Sequence, residues 1–221
     1  MPLLAAAGAS GLLAALLAAL AGLERWWWPI QLLFLPALVL LLALELPAWS
    51  WAAGALALLL VYWSTYRTRV PLFLSGPQTW RALEELLPAA ASGHAPRFID
   101  LGCGVGGLIL HLARARPDVT VHGIELAPLP ALVSRLRIEL ARLPNASASW
   151  GSFWDRDLSG YDVVFAFLSP VPMPRLWAQL RAQMRTGTLF VSSSFPVPGI
   201  TPERCIEVED RKRATLYLYR L

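Results

Sequence analysis

The stretch FIDLGCGVGG (98–107) sets Gly102, Gly104 and Gly106 at alternate positions, after an apolar run that reads as a strand and before one that reads as a helix. Glycines so spaced let the backbone turn sharply and approach a ligand with no Cβ in between. The first N–H groups of the following helix are unpaired and carry partial positive charge, which suits a carboxylate or a phosphate. Two acids frame this loop. Asp100 stands two residues before the first glycine, and Glu125 closes the next apolar run in HGIELAP (122–128). A carboxylate at the C-terminal edge of a strand can accept both hydroxyl hydrogens of a ribose.

The glycine spacing alone serves two cofactors. Gly102, Gly104 and Gly107 satisfy the dinucleotide fingerprint GxGxxG, with Glu125 near the distance expected of its ribose-binding acid. Asp100 separates the readings, because its charge disfavours a nearby pyrophosphate and suits the ammonium of a methionine moiety. The expected cofactor is therefore S-adenosylmethionine, held by Asp100, Gly102, Gly104, Gly106 and Glu125, with a nicotinamide-dependent oxidoreductase as the minor reading. Further along, Phe153 or Trp154 in GSFWD (151–155) can cover the face of an adenine ring, with core packing as the competing use. Ser169 and Pro170 in FLSPVP (167–172) stand where the reactive methyl should point, and are the substrate-mouth candidates. No residue reads as a dedicated catalytic base.

The elements that must position these residues are legible in the periodicity. RFIDL (97–101), VTVHGIEL (119–126), SASW (147–150), YDVVFAFL (161–168) and GTLFVSSSF (187–195) read as strands. Helical spacing falls between them, in LILHLARAR (108–116), LPALVSRLRIELARL (129–143) and PRLWAQLRAQM (174–184), and before them in Thr79–Leu87. Alternating strands and helices imply right-handed crossovers and a parallel doubly wound sheet. The end differs: RCIEVE (204–209) and ATLYLYRL (214–221) are separated only by Asp210 to Arg213, too short for a crossover helix, so they predict an antiparallel hairpin. The fold class expected is α/β, a Rossmann-like class I methyltransferase sheet ending in that hairpin.

Composition adds a second region. The chain of 221 residues is 56% hydrophobic, and between Leu3 and Tyr66 the charged residues are Glu24, Arg25 and Glu45 alone. Two or three transmembrane helices are expected, at about 3–23, 26–44 and 46–66, rimmed by Trp26, Trp27, Trp28, Trp49, Trp51, Tyr62, Trp63 and Tyr66. A cleaved secretory signal at the start lacks a basic leading segment and is followed by further apolar stretches. Arg25, Arg67 and Arg69 place the catalytic domain in the cytoplasm, on a bacterial inner membrane. The domains are then 1–66 in the bilayer, 67–96 as linker and first helix, and 97–221 as the catalytic domain. Partners expected are the lipid bilayer and a membrane protein substrate. The net charge of +4 comes without a Lys/Arg run that resembles a polybasic arm, so no nucleic acid is expected. Cys103 and Cys205, and His94, His111 and His122, lack ligand spacing, so no metal site or disulfide is expected.

These residues together resemble a family, the membrane-anchored protein lysine methyltransferases of mitochondria that act on the adenine nucleotide translocase and on ATP synthase subunit c, with their bacterial relatives. The likeness spans roughly residues 70–215 and is carried by VPLF (70–73), FIDLGCGVGG, GIELAP, the FW pair, and above all SFPVPGITPE (194–203), close to the family's RFPFPxWTPD. It implies N-methylation of a protein lysine with S-adenosylmethionine as donor. Val105 replaces the family's acid in the glycine loop, Ser152 stands where an acid would meet the adenine amine, and Leu74, Ser75 and Gly76 replace a polar segment. Two other readings stay open: methylation of a membrane-soluble quinone or lipid, and a non-catalytic membrane scaffold.

Overall fold

Strands β1 (Arg97–Leu101), β2 (Thr120–Glu125), β3 (Ala146–Trp150), β4 (Val163–Ala166), β5 (Leu189–Ser193), β6 (Arg204–Glu207) and β7 (Thr215–Arg220) form one seven-stranded sheet in the order β3-β2-β1-β4-β5-β7-β6. The computed structural model describes residues 2–63, 73–90, 94–209 and 214–221, in two compact units, Met1–Leu56 and Ala57–Leu221. The pairs β1–β2, β1–β4, β2–β3 and β4–β5 are parallel, whereas β7 is antiparallel to both β5 and β6. The expected terminal hairpin is therefore present, with β7 inserted between β5 and β6. Its turn, 210–213, lies outside the described residues.

The central strands β4 and β5 are buried on both faces, and this is why they read as near-continuous apolar runs. Alternation splits their side chains between two cores. Phe98, Phe165 and Val191 face one side with Leu108 and Leu112; Ile99, Val164 and Phe190 face the other with Leu176 and Leu180. Phe98, Phe165 and Phe190 are at most 1% exposed, and each such ring contributes about 1.5–3 kcal/mol of burial. Helices α4 (Pro77–Leu86), α5 (Gly107–Ala115), α6 (Pro128–Ala141) and α7 (Met173–Gln183) supply the covering layers. The first of these begins two residues before its predicted start, because Pro77 has a preset φ and no N–H to leave unpaired in the first turn.

In the N-terminal unit, α1 (Pro2–Leu20) is long and apolar enough to cross a membrane. The two apolar helices that follow, α2 (Trp27–Ala43) and α3 (Ala48–Val61), have 17 and 14 residues, short of the ~20 that a ~30 Å hydrocarbon core requires. Of the expected spans, one thus reaches full length by these criteria. The end of the third, 64–66, and the orienting Arg67 and Arg69 lie outside the described residues. Ala7, Gly11 and Ala18 are the buried positions of α1, and a Cβ on Gly11 would strike the backbone carbonyl of Leu32, so small residues let α1 and α2 meet closely. Leu13 and Leu17 on α1, and Leu33, Phe34 and Leu42 on α2, are more than half exposed.

Candidate cofactor site

The glycine loop hangs from the end of β2. Gly102 N–H and Cys103 N–H both donate to the Ile124 carbonyl, at 2.8 and 3.1 Å. Gly104 N–H donates to Glu125 Oε2 at 2.8 Å, while Glu125 Oε1 accepts from Ala127 N–H, also at 2.8 Å. One carboxylate therefore braces the loop and the entry to α6, and each oxygen keeps a further lone pair for a hydroxyl. Gly102, Gly104 and Gly106 have φ of 88°, 54° and 75°, the left-handed region that favours glycine. Gly106 also caps α5 against α6, where a Cβ would strike Ser134 Oγ.

Asp100 is 5% exposed, and burial, followed by the nearby Glu125 carboxylate, pushes its pKa up to about 8. A carboxyl held neutral in this way gains most from a cation placed beside it. Burial and the same two acids raise the Cys103 thiol, whose Sγ lies 3.9 Å from Ser134 Oγ, so it is an inert core group. Both cysteines are free. A cavity of about 220 Å³ lies against this loop. Its walls are Asp100, Gly102, Cys103 and Val105, Phe165 and Phe167 from β4 and its exit, Phe73 to Ser75 and Trp80 from the start of α4, and Arg137 from α6.

The predicted site residues separate into groups. Asp100, Gly102, Gly104, Gly106 and Glu125 meet at the carboxyl edge of β1 and β2. Phe153 and Trp154 share a 3₁₀ turn, Phe153–Asp155, with ring centroids 4.5 Å apart, and do not line the cavity. The Arg175 guanidinium lies 4.1 Å from the centre of the Trp154 ring, so that face already carries a cation. Ser152 caps the same turn by accepting the Trp154 N–H. Ser169 is buried and Pro170 exposed.

Trp80, Phe73 and Arg137 are among the cavity residues that were not singled out as site residues in the sequence. Trp80 shows helical core spacing, yet its indole N–H donates to Ser75 Oγ at 2.8 Å and its ring fills the space a Cβ on Gly107 would need. Phe73 stacks on Phe167 at 4.9 Å. Arg137, which sequence shows only as one of several arginines on its helix, donates to the Val105 carbonyl at 2.6 Å. A contact between segments so distant has no local signal.

The fold matches an RNA methyltransferase from Salinibacter ruber, crystallised with S-adenosyl-L-homocysteine, at a TM-score of 0.59 and 23% identity over 67% of this chain and 93% of that one. Residues 100–204 match the ANTKMT methyltransferase domain. The chain is a class I S-adenosylmethionine-dependent methyltransferase. This methyltransferase is 29% identical over 150 residues to a protein-lysine N-methyltransferase of Saccharolobus islandicus, covering 65% of this chain and 90% of that protein. It is 31% identical over 141 residues to the adenine nucleotide translocase lysine N-methyltransferase of Mus musculus, of which it spans 59%.

The residues fit that cofactor on their own chemistry. A buried carboxyl with a raised pKa meets an ammonium, the loop glycines leave no Cβ in its approach, and the Glu125 oxygens retain lone pairs for a diol.

Proposed function

We propose that this methyltransferase is membrane-anchored and N-methylates lysine on a protein substrate, with Asp100, the loop from Gly102 to Gly106 and Glu125 as its cofactor residues. The observation that carries the reading is the match of residues 100–204 to the ANTKMT methyltransferase domain, joined by two relatives named for lysine N-methylation. The family-specific stretch SFPVPGITPE supports it, because it is built into the domain: Val197 N–H donates to Tyr219 Oη at 2.8 Å, and Glu203 N–H to the Leu218 carbonyl at 2.8 Å. Anchoring is supported by α1 and by the exposed leucines of α1 and α2, since helices apolar on every side are poorly suited to water.

Bound S-adenosylmethionine supplies an electrophilic methyl on a cationic sulfur. The chain's residues bind, orient and exclude water. Asp100 takes the ammonium, Glu125 the ribose hydroxyls, and the apolar cavity walls desolvate the reacting groups. A lysine amine entering that environment has its pKa lowered and its lone pair freed, with the proton passing to water.

The test is incorporation of label from methyl-labelled S-adenosylmethionine into membranes containing the full-length protein, followed by separation of protein from lipid. Label on lysine of a protein supports the reading; label in the lipid fraction alone removes it in favour of a membrane-soluble small molecule. Calorimetry adds a second readout, with S-adenosylhomocysteine expected to bind and NAD not to bind.

A further inference from the structure

We infer that the carboxyl edge of β4 and β5 is the acceptor pocket, in which the Phe73, Phe167 and Phe195 rings and the buried hydroxyls of Ser169 and Ser193 receive an uncharged alkyl amine. This rests on the methyltransferase reading above and names the acceptor side of the same site.

Two observations meet there. Ser193 is 1% exposed and Ser169 8%, and among the described residues their Oγ atoms are the buried side-chain polar atoms without a hydrogen-bond partner. Unsatisfied buried hydroxyls are uncommon in native folds and mark places where a ligand completes the bonding. The second observation is a ring cluster built on the residues that leave the same two strands, Phe167 after β4 and Phe195 after β5. Phe73 stacks on Phe167 at 4.9 Å and tilts against Phe195 at 5.8 Å.

Register places this group next to the cofactor residues. Asp100 pairs with Phe165, and Phe165 with Val191, so these three share one row across β1, β4 and β5. One pleat nearer the carboxyl edge, Phe167 and Ser193 share the next row on the same face, one step beyond the paired Ala166 and Ser192. Ser194 then turns the chain with φ of 66°, unusual for a residue other than glycine, and its N–H donates to the Thr215 carbonyl at 2.7 Å. Ser192 Oγ donates to the Phe195 carbonyl at 2.6 Å, which fixes the turn that brings the Phe195 ring to Phe73. Strain held in place by such bonds is concentrated at functional sites.

The chemistry selects the ligand. Ring faces strip water from an amine and favour its neutral, nucleophilic form. Hydroxyls replace the hydrogen bonds lost from water and bring no negative charge that would keep the amine protonated. The methylated ammonium product is then accommodated by the ring faces.

The experiment uses the full-length protein in detergent micelles, n-butylamine as the lysine side-chain probe, methyl-labelled S-adenosylmethionine, and calorimetry with S-adenosylhomocysteine. Ser193→Ala is expected to raise the KM for n-butylamine about tenfold, the worth of one hydrogen bond. Its S-adenosylhomocysteine affinity should stay within about twofold of wild type, and its melting temperature should hold or rise, because an unpartnered buried hydroxyl is removed. Ser169→Ala and Phe195→Ala should show the same split between amine and cofactor. An unchanged KM in all three variants overturns the pocket, as does a wild-type protein that binds S-adenosylhomocysteine yet transfers nothing to n-butylamine. A parallel loss of S-adenosylhomocysteine affinity assigns the hydroxyls to the cofactor side, overturning the pocket and leaving the methyltransferase reading intact. Wild-type protein that does not bind S-adenosylhomocysteine overturns both.

Discussion

Glu125 Oε2 accepts the Gly104 N–H at 2.8 Å, so the acid that ends β2 fixes the turn that leaves β1. Its second oxygen holds the Ala127 N–H, and the residue is 8% exposed. Glu125→Ala leaves two buried donors without their charged acceptor, each such bond being worth about 1.5–3 kcal/mol. The expected result is a melting temperature lower by at least roughly 6 °C and a loss of S-adenosylhomocysteine affinity of at least about tenfold. Glu125→Gln, which keeps one acceptor oxygen, should fall between the two. Thermal denaturation and calorimetry measure both, and wild-type values in Glu125→Ala would refute the bracing role.

Asp100 makes cofactor affinity depend on pH. Its pKa in the folded, unliganded protein is about 8, against an ordinary value of 3.8. Pairing with an ammonium requires the ionised form, so binding below about pH 8 must release a proton, and affinity should climb by up to about tenfold per pH unit between about pH 6 and 8. Calorimetry in buffers of different ionisation enthalpy reads the released proton directly. A pH-independent affinity with no proton release would exclude Asp100 as the ammonium partner.

The same group opposes stability. A carboxyl whose folded pKa is raised contributes stability below its unfolded pKa, and that contribution is lost as pH rises from 3.8 to about 8. Asp100→Asn removes the loss. The unliganded variant should therefore melt above wild type near pH 8 and bind S-adenosylhomocysteine at least about tenfold more weakly. A variant less stable than wild type near pH 8 would show that the carboxyl is better satisfied than its burial implies.

Residues that act through the local chain were legible in sequence, and residues that act across the fold were not. The glycine spacing and the two acids belong to one strand-loop-helix unit and to the end of the next strand, so FIDLGCGVGG and HGIELAP already carry the positive φ values and the bracing carboxylate. Parallel order followed from the length of each connection, and the hairpin from the lack of one. The Phe73–Phe167 stack joins positions far apart in the chain, and the bond from Arg137 to the Val105 carbonyl bridges a helix and a loop. Periodicity reads Trp80 correctly as a helix position but cannot show that the neighbour it packs on is Gly107. The Arg175 guanidinium over one face of Trp154 is likewise a contact between separate segments that the FW pair does not announce.

Gly106 is required by its neighbour as well as by its backbone. Its φ of 75° strains any other residue, and a Cβ would strike Ser134 Oγ on α6. Gly106→Ala should therefore lower the melting temperature by roughly 4–10 °C, from about 1–2 kcal/mol of backbone strain together with the clash. Adding Ser134→Gly removes the clash and leaves the strain, so the double variant should recover part of the loss and no more. Full recovery would show that φ is irrelevant there, and no recovery that the Ser134 contact is.

His122 makes the domain acid-sensitive at a point away from the glycine loop. Its Nδ1 is 2.8 Å from Ser147 Oγ, and its Nε2 lies 3.1 Å from Ser149 Oγ and 3.2 Å from the Arg156 guanidinium. A guanidinium can only donate, so Nε2 accepts and the ring is neutral, with its proton on Nδ1 toward Ser147. Burial first, then the charges of Arg156 and Arg97, lower its pKa from 6.5 to about 4. For a histidine with a depressed folded pKa, the unfolded chain binds the proton more readily, so stability is intact above pH 6.5 and is lost as pH falls toward about 4. His122→Gln cannot titrate and should flatten the fall of melting temperature across that window while lowering it modestly at neutral pH through altered bonds to Ser147 and Arg156. Melting curves of both proteins at several pH values across the window decide it: equal slopes for the two would mean that acid acts elsewhere, and a shallower slope in the variant assigns the sensitivity to this buried ring.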